Sequence, residues 1–350
     1  AVSSIPPAHL TELCAQVLSH YGVPRTDANF VAGSLVESDL RGIHSHGSMR
    51  LGRYAKELDA GLTNPNANIV TIEKGSACAS VDGNGALGQL VARQALSVGI
   101  EKARSAGTAS VTCCKSRHFG AAGNYCLMAL EENIMAMSMT VSSPRIAPTG
   151  GVQPMFGTNP IALGVPGNHD FPLVIDLAMS SVAAGTIELA ARAGDVLPKG
   201  VARDIAGAPT TDPQEALDGS IVPIGEHKGY ALTMLIEILA GLLASSPYFG
   251  VSRENVGQHV EEKGIGHFFL CIDPTQFIPL EVFKSQVAEM VSAIKVSPRL
   301  PGVKEIFVPG ELEEKRRRHR LKHGIPLEES TRSILNSLGH KCGVDNSLYI

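Results

Sequence analysis

The stretch Arg41-Gly42-Ile43-His44-Ser45-His46-Gly47-Ser48-Met49-Arg50 sets two imidazoles, serine hydroxyls and two guanidiniums within ten residues. A surface turn is usually dominated by small polar groups. Histidine can pass a proton near neutral pH, and arginine can hold a carboxylate through a planar two-pronged contact. A proton donor and an anion clamp on one segment suit a substrate whose carboxylate lies beside the reacting carbon. The plain alternative is a helix end whose His and Arg merely meet solvent, the usual reading of a lone histidine. Here the polar groups are too dense for that to be the preferred reading.

Helical periodicity says how the stretch is delivered. Leu10, Leu13, Val17 and Leu18 predict a helix over Pro7–Tyr21, stopped by Gly22-Val23-Pro24. Phe30, Val31, Leu35 and Val36 predict a second over Thr26–Asp39, which hands the chain to Arg41. A third, Met49–Ala60, would place Arg50 in its first turn, within reach of a ligand at the helix N-terminus.

Short strands are expected around Ile69–Ile72 and Ala77–Val81, then Gly83-Asn84-Gly85-Ala86-Leu87-Gly88, then a helix over Gln89–Ala106. This is formally the GxGxxG dinucleotide fingerprint between a strand and a helix. Yet the acidic residue that should end the next strand is absent: Ala109–Cys114 runs into Lys115-Ser116-Arg117, and Glu101 falls inside the helix. A lone match of this kind is weak, and a tight turn in which the glycines only provide positive φ is the preferred reading.

Further along, Arg117-His118-Phe119-Gly120-Ala121-Ala122-Gly123 surrounds an imidazole with small residues that would let a flat ligand approach the backbone. Strands are predicted over Ile134–Val141, Ile161–Val165 and Leu173–Ile175. Thr158 and Asn159 offer donors in a turn, and Asp176 follows the third of these strands, where it could accept ribose hydroxyls or cap a helix. A helix over Thr186–Ala193 precedes a loop, Pro198–Asp218. Lys228 stands at the start of the most apolar helix, Ala231–Ala244, where the dipole disfavours a cation unless an anion is bound. A polar loop (Gly250–Gly264), a strand (Ile265–Ile272) and helices over Leu280–Lys295, Glu311–His323 and Ser330–Leu338 complete the chain, with a poorly ordered tail expected from Gly339.

With 350 residues the chain can bury a large core. A formal charge of -4 argues against nucleic acid as the main partner, with the basic run Lys315–His323 read as a solvated helix face. No apolar run reaches the ~18 residues that a membrane span needs. Seven scattered cysteines fit neither a disulfide framework nor a zinc site, and no signal-like start is visible, so a cytoplasmic protein is expected.

Taken together, RGIHSHG, SRHFGAAGNY, FGTNPIA, IDLAMSS and HKGYAL resemble the malate/L-lactate dehydrogenase family, the group unrelated to Rossmann-type malate and lactate enzymes. It also includes ureidoglycolate and sulfolactate dehydrogenases, diketogulonate reductase and cyclic imino-acid reductases. The resemblance implies an α/β (α+β) fold that binds NAD or NADP on a mainly antiparallel sheet flanked by helices, and makes the Gly83–Gly88 match a decoy. It implies a helical segment over 1–60, a sheet domain over 61–280 and C-terminal helices over 281–350 that pack with the N-terminal segment, all in a homodimer acting on a small carboxylate.

By the same resemblance His46 is the proton donor, Arg50 the carboxylate clamp, His118 the second imidazole, and Ser45 lies beside the substrate. Gly120, Ser142, the segment Val174-Ile175-Asp176-Leu177-Ala178-Met179-Ser180, His227, Lys228, Gly310 and Glu311 match cofactor contacts, with Thr158, Asn159 and Thr186 toward the substrate. Thr186 stands where the family usually has Lys and its imino-acid reductases have Asp, which leaves two reactions: reduction of 2-oxo acids to L-2-hydroxy acids, or of cyclic 2-imino acids. A non-catalytic homologue would have had no reason to keep these polar groups. No metal is required. Analogy with biosynthetic reductases leans toward NADP.

Overall fold

In the computed structural model, residues 4–248 and 264–350 are described; the loop predicted over 250–264 lies almost wholly outside them. A two-residue strand β1 (Ser4–Ile5) leads into α1 (Pro7–His20) and α2 (Arg25–Arg41), which meet through Leu10, Leu13, Val17, Val31 and Leu35, all fully buried. Two short 3-10 turns, His44–His46 and Ser48–Arg50, follow before α3 (Leu51–Asp59). Arg50 therefore sits just ahead of the third helix, not inside its first turn.

The sheet contains β2 (Val70–Gly75), β3 (Cys78–Asp82), β4 (Thr108–Ser116), β5 (Met135–Thr140), β6 (Ile161–Val165) and β7 (Leu173–Leu177), plus a later strand, Ile265–Ile272, seated between β4 and β5. Its order is β2-β3-β4-(265–272)-β5-β6-β7, and every pairing is antiparallel except β3 with β4. Alternation explains β4: Ala109, Val111 and Cys113 are buried under the helix α4 (Gly88–Ala106), while Thr112 meets Ser80 across the other face at 2.9 Å.

The parallel pair β3–α4–β4 is a true βαβ unit, yet its glycine turn faces the protein. Gly83 N–H donates to Cys114 O (2.9 Å) and Gly85 N–H to Lys115 O (2.8 Å). A Cβ on Gly88 would lie 2.2 Å from Arg117 O. These glycines let the turn dock on the end of β4, and the two amides are already engaged.

Helix α5 (Gly123–Glu131) covers β5 and β6, and between β7 and the later strand the chain forms α6 (Ala184–Ala193), then β8 (Ala202–Arg203), β9 (Pro209–Thr210), α7 (Pro213–Asp218) and β10 (Ser220–Ile221). The stretch expected as loop over 198–218 thus carries a helix and two strands of a small three-stranded sheet, which β10 completes. Its signal was Asp212-Pro213: the Asp212 carboxylate caps Gln214 N (2.7 Å) and Glu215 N (3.2 Å) ahead of a proline at the first helical turn. The apolar helix α8 begins at His227, four residues before its predicted start, and is wound as a π-helix over Glu237–Leu242.

Helix Leu280–Val296 packs through Val287 and Val291 on Leu173 of β7. Helix Glu329–Cys342 joins the N-terminal core through Leu335. The tail after Gly339 is ordered: Ile350 N–H donates to Asn336 Oδ1 (2.8 Å), Tyr349 Oη–H to Val344 O (3.1 Å), and Val344 is buried in the same core. Apolar ends of this kind are held by packing, which the charged helix before them concealed.

Candidate active site

The loop after α2 is built on Asp39, 1% exposed. Its Oδ1 receives His44 Nδ1 (2.8 Å), its Oδ2 receives Ser48 N–H (2.8 Å), and a Cβ on Gly47 would fall 2.0 Å from Oδ1. Glycine is therefore obligatory at 47, and both 3-10 turns are tied to one carboxylate. They present Ser45 and His46, whose Oγ and Nδ1 are 2.9 Å apart. A hydroxyl can accept as well as donate, so with Ser45 Oγ accepting from Nδ1–H the neutral ring keeps Nε2 free to take a proton. Arg50 Nε donates to Ser45 O at 2.5 Å, fixing the guanidinium beside the same residue.

His118 stacks on His46, and behind it runs a chain of polar groups. Gln89 Nε2 donates to Tyr54 Oη (2.8 Å), Tyr54 Oη–H donates to His118 Nδ1 (2.8 Å), and Gly120 N–H points at the same nitrogen (3.4 Å). His118 thereby carries its proton on Nε2. Burial first, then the charges of Arg50 and Arg53, lowers His46 to about 4. Burial also holds His118 well below the ordinary range, with Arg53 and His46 adding to it. Burial pushes the Tyr54 phenol up to about 12, so it remains a donor. A third ring, His267, lies between Thr140 Oγ1 and Ser116 Oγ (2.7 Å each), lowered to about 3 by burial, and stacks on Phe119 as a neutral core residue.

Ser45 and His46 open onto a cavity of ≈ 390 Å³, within the usual range for a ligand site. Gly120, Ala121, Ala122 and Gly123 form one wall, and Val174, Ile175, Asp176, Leu177 and Ala178 another. Gly310 lies in the wall as well; at φ +90, with a Cβ that would be 2.1 Å from Pro172 O, it presses the turn against β7. Asp176 Oδ2 accepts Gly123 N–H (2.9 Å), and a Cβ there would approach it to 2.7 Å. Solvent reaches Asp176 through the cavity, but the walls around it and nearby Glu313 push its carboxyl up to about 6. The flat, side-chain-poor wall and the single strand-end carboxylate fit a dinucleotide's rings and ribose hydroxyls.

The remaining expected residues fall elsewhere. Asn159 is fully buried and joins Ser142 N (3.0 Å), Thr233 O (3.2 Å) and Glu237 Oε2 (2.6 Å). Ser142 Oγ meets Thr158 Oγ1 (3.4 Å), and Thr158 O receives Met179 N–H (2.7 Å), with Ser180 buried next in line. These residues form a polar seam that sets the end of β7 against α8. His227 and Lys228 are exposed at the start of α8. Glu311 is held by Lys295 Nζ (2.7 Å) and Lys315 (3.2 Å), outside the cavity lining. Thr186 is exposed, one residue beyond Gly185, whose Cβ would come 3.1 Å from Ser45 Cβ.

Sequence reasoning passed over Asp39, Tyr54, Gln89, Arg53 and Glu313. Tyr54 could have been found, since it lies one helical turn beyond Arg50 on α3.

Ser45 and His46 meet the Val174–Ala178 wall at one cavity, with His118 stacked behind His46 and Arg50 fixed on Ser45 O, and the family described as malate/L-lactate dehydrogenase matches residues 5–336. The chain belongs to that family. A malate dehydrogenase from Pyrococcus horikoshii is 38% identical over 351 residues, covering 97% of this chain and 96% of that protein. A solved structure of malate dehydrogenase from the same organism superposes with a TM-score of 0.89 at 36% identity, covering 98% and 96% of the two chains. A malate/(S)-sulfolactate dehydrogenase from Methanothermus fervidus is 36% identical over 97% of this chain and 98% of its own length. A Δ1-pyrroline-2-carboxylate/Δ1-piperideine-2-carboxylate reductase from Pseudomonas syringae is 32% identical over 95% of each. Membership makes the protein an NAD(P)-dependent dehydrogenase or reductase and accounts for the mainly antiparallel sheet. Among the described residues no helix is long and apolar enough to cross a membrane.

Proposed function

We propose that this enzyme interconverts a small dianionic 2-oxo acid and its L-2-hydroxy acid, with His46 giving the proton in reduction and taking it in oxidation. The observation that carries the reading is that Arg50 is fixed on Ser45 O (2.5 Å), the same residue whose hydroxyl meets His46 Nδ1 (2.9 Å), with the charge of Arg53 also felt at the ring. Arg50, fixed on Ser45, suits the carboxylate next to the reacting carbon, and Arg53, paired with Glu57 through Nε (2.6 Å), offers its terminal N–H groups to a second anionic group, carboxylate or sulfonate. A nicotinamide cofactor bound along the Gly120–Gly123 and Val174–Ala178 walls supplies the hydride.

Binding of a dianion offsets the charges of Arg50 and Arg53, so His46 regains proton affinity as the substrate arrives. The imidazolium then holds a proton at Nε2 for the developing alkoxide while its Nδ1–H donates to Ser45 Oγ, and the transfer leaves the neutral Nδ1–H ring that takes the proton back in oxidation. Arg50 holds the carboxylate so that the carbonyl carbon stays in one orientation. The cyclic imino-acid reading rests on neutral Thr186, but an iminium would be repelled by the same two guanidiniums.

For the cofactor, Asp176 and Glu313 line the cavity, and the guanidinium there, Arg41, is engaged by Glu314 (3.4 Å) and Glu37 (3.6 Å). That balance supports NADH over the NADPH favoured by analogy, because a 2′-phosphate would meet carboxylates. We also take the protein to be a homodimer paired over α8, where Leu232, Leu235, Ile238 and Leu242 are each 45–48% exposed along one face.

Side-by-side assays with oxaloacetate, 3-sulfopyruvate, pyruvate and Δ1-piperideine-2-carboxylate, each with NADH and NADPH, test the reading. Highest kcat/KM is expected for a dianionic 2-oxo acid with NADH. Preference for the cyclic imine would overturn the substrate assignment.

A further inference from the structure

Arg320, in the helix Glu311–His323, reaches across to the catalytic loop from the far end of the chain. One of its guanidinium nitrogens donates to the backbone oxygen of Asp39 and lies 3.0 Å from His44 Nε2. A guanidinium can only donate, so His44 Nε2 must accept, and the ring is the neutral Nδ1–H tautomer. That tautomer is the one required at the opposite nitrogen, where His44 Nδ1–H meets Asp39 Oδ1 at 2.8 Å. The two contacts set each other: Arg320 selects the tautomer, and the tautomer completes the bond to the carboxylate that also holds Ser48 N–H. Ser45 and His46 follow His44 directly, in the turn this arrangement pins. The same helix also approaches the loop at Gly42, where a Cβ would lie 2.8 Å from Arg316 Cδ.

We propose that Arg320 is a positioning residue, acting through His44 and Asp39 to hold the 44–48 turn so that His46 is aimed at the substrate. The inference rests on the reading of His46 as the proton-transferring group. Arg320 touches no reacting atom. Its contribution is geometric, and misplacement of a catalytic group by ~1 Å can cost as much as ~10²-fold in rate.

Four variants separate this role from simple stapling: Arg320→Ala, Arg320→Lys, His44→Ala and His44→Asn. For each, kcat and KM for the 2-oxo acid, the cofactor Kd and the thermal midpoint are measured. Arg320→Ala should lower kcat by ~10- to 100-fold, with KM and cofactor Kd within ~3-fold of wild type. Arg320→Lys should recover part of kcat, since an ammonium can still donate to Asp39 O and His44 Nε2. His44→Asn can keep a donor toward Asp39 while losing the link to Arg320, so it should fall between wild type and His44→Ala. It carries the test if Arg320→Ala does not fold.

Unchanged kcat per folded molecule in both Arg320→Ala and His44→Asn would overturn the inference, as would a loss that Arg320→Lys leaves unrescued. Histidine-selective NMR gives a readout that needs no substrate. The His46 ring nitrogens should shift from a single tautomer toward a mixture in Arg320→Ala, and identical spectra would overturn the positioning role. Inactivity of the wild type toward every 2-oxo and imino acid would instead count against the proposed function.

Discussion

The imidazoles of His46 and His118 are stacked, ring centres 5.6 Å apart and planes inclined by 18°. At that distance a proton on one ring opposes a proton on the other, so the pair can carry one charge comfortably and not two. Each ring has its Nδ1 occupied, by Ser45 Oγ for His46 and by Tyr54 Oη for His118. The difference between them is access: His46 lines the cavity, whereas His118 lies behind it.

Replacing His46 with alanine should therefore lower kcat by ~10²-fold or more while leaving the cofactor Kd within ~2-fold of wild type. Stopped-flow turnover and fluorescence titration on the same preparation check both halves. Near-normal turnover would remove His46 from the proton step.

The pH dependence follows from the lowered pKa of His46. Oxidation of the hydroxy acid needs the neutral ring, and His46 in the free enzyme is neutral at all pH values above about 4. The kcat/KM for oxidation should accordingly stay level through neutrality and fall only as pH approaches about 4, whereas reduction should lose kcat/KM as pH rises. An acid limb near the ordinary histidine value would contradict a desolvated base.

Tyr54→Phe leaves Gln89 Nε2 and His118 Nδ1 facing a ring edge in place of a hydroxyl. Loss of these two contacts should cost about 1–3 kcal/mol of stability. It should also reduce kcat by about tenfold, as His118 loses its fixed tautomer and the stack with His46 loosens. Denaturant unfolding and kinetics on the variant measure the two effects, and an unchanged kcat would show that His118 is only packing.

Asp176 gives a prediction of opposite sign for stability and binding. Its carboxyl titrates at about 6 in the fold and at 3.8 in the reference state. Between those values the folded protein binds more protons, so stability gained at low pH is lost as pH rises through about 6. Asp176→Asn should raise Tm at pH 8, with the gain shrinking below pH 6, and should weaken cofactor binding by at least tenfold. A lower Tm at pH 8 would mean that the carboxylate is structural.

Leu235→Glu, on the exposed face of α8, should convert a dimer into a folded monomer measurable by light scattering. Finding the wild type itself monomeric at micromolar concentration would end the dimer proposal.

Much of the fold was legible because its signals are local. Alternation in β4, the 3.6-residue stripes of α1 and α2, and the residues 44–50 that we propose carry the chemistry could all be read from neighbours in sequence. What could not be read was non-local. Asp39 looks like any acidic residue near a helix end until Gly47 closes on it, and Arg320 sits in a run of basic residues that resembles a solvated face. The glycines at 83–88 misled for the converse reason: the local pattern and even the βαβ connection are those of a phosphate-binding turn. Only the carbonyls at the end of β4, thirty residues on, show where the amides go.

The contact between Arg320 and Asp39 spans 281 positions of the chain, and the core around α1 is closed by residues after 325. During vectorial synthesis His46 emerges long before Arg320, the group that reaches back to its loop. A nascent or prematurely terminated chain that lacks the later helices would display the RGIHSHG segment untethered, so this loop is fixed only once chain made long after it has folded back.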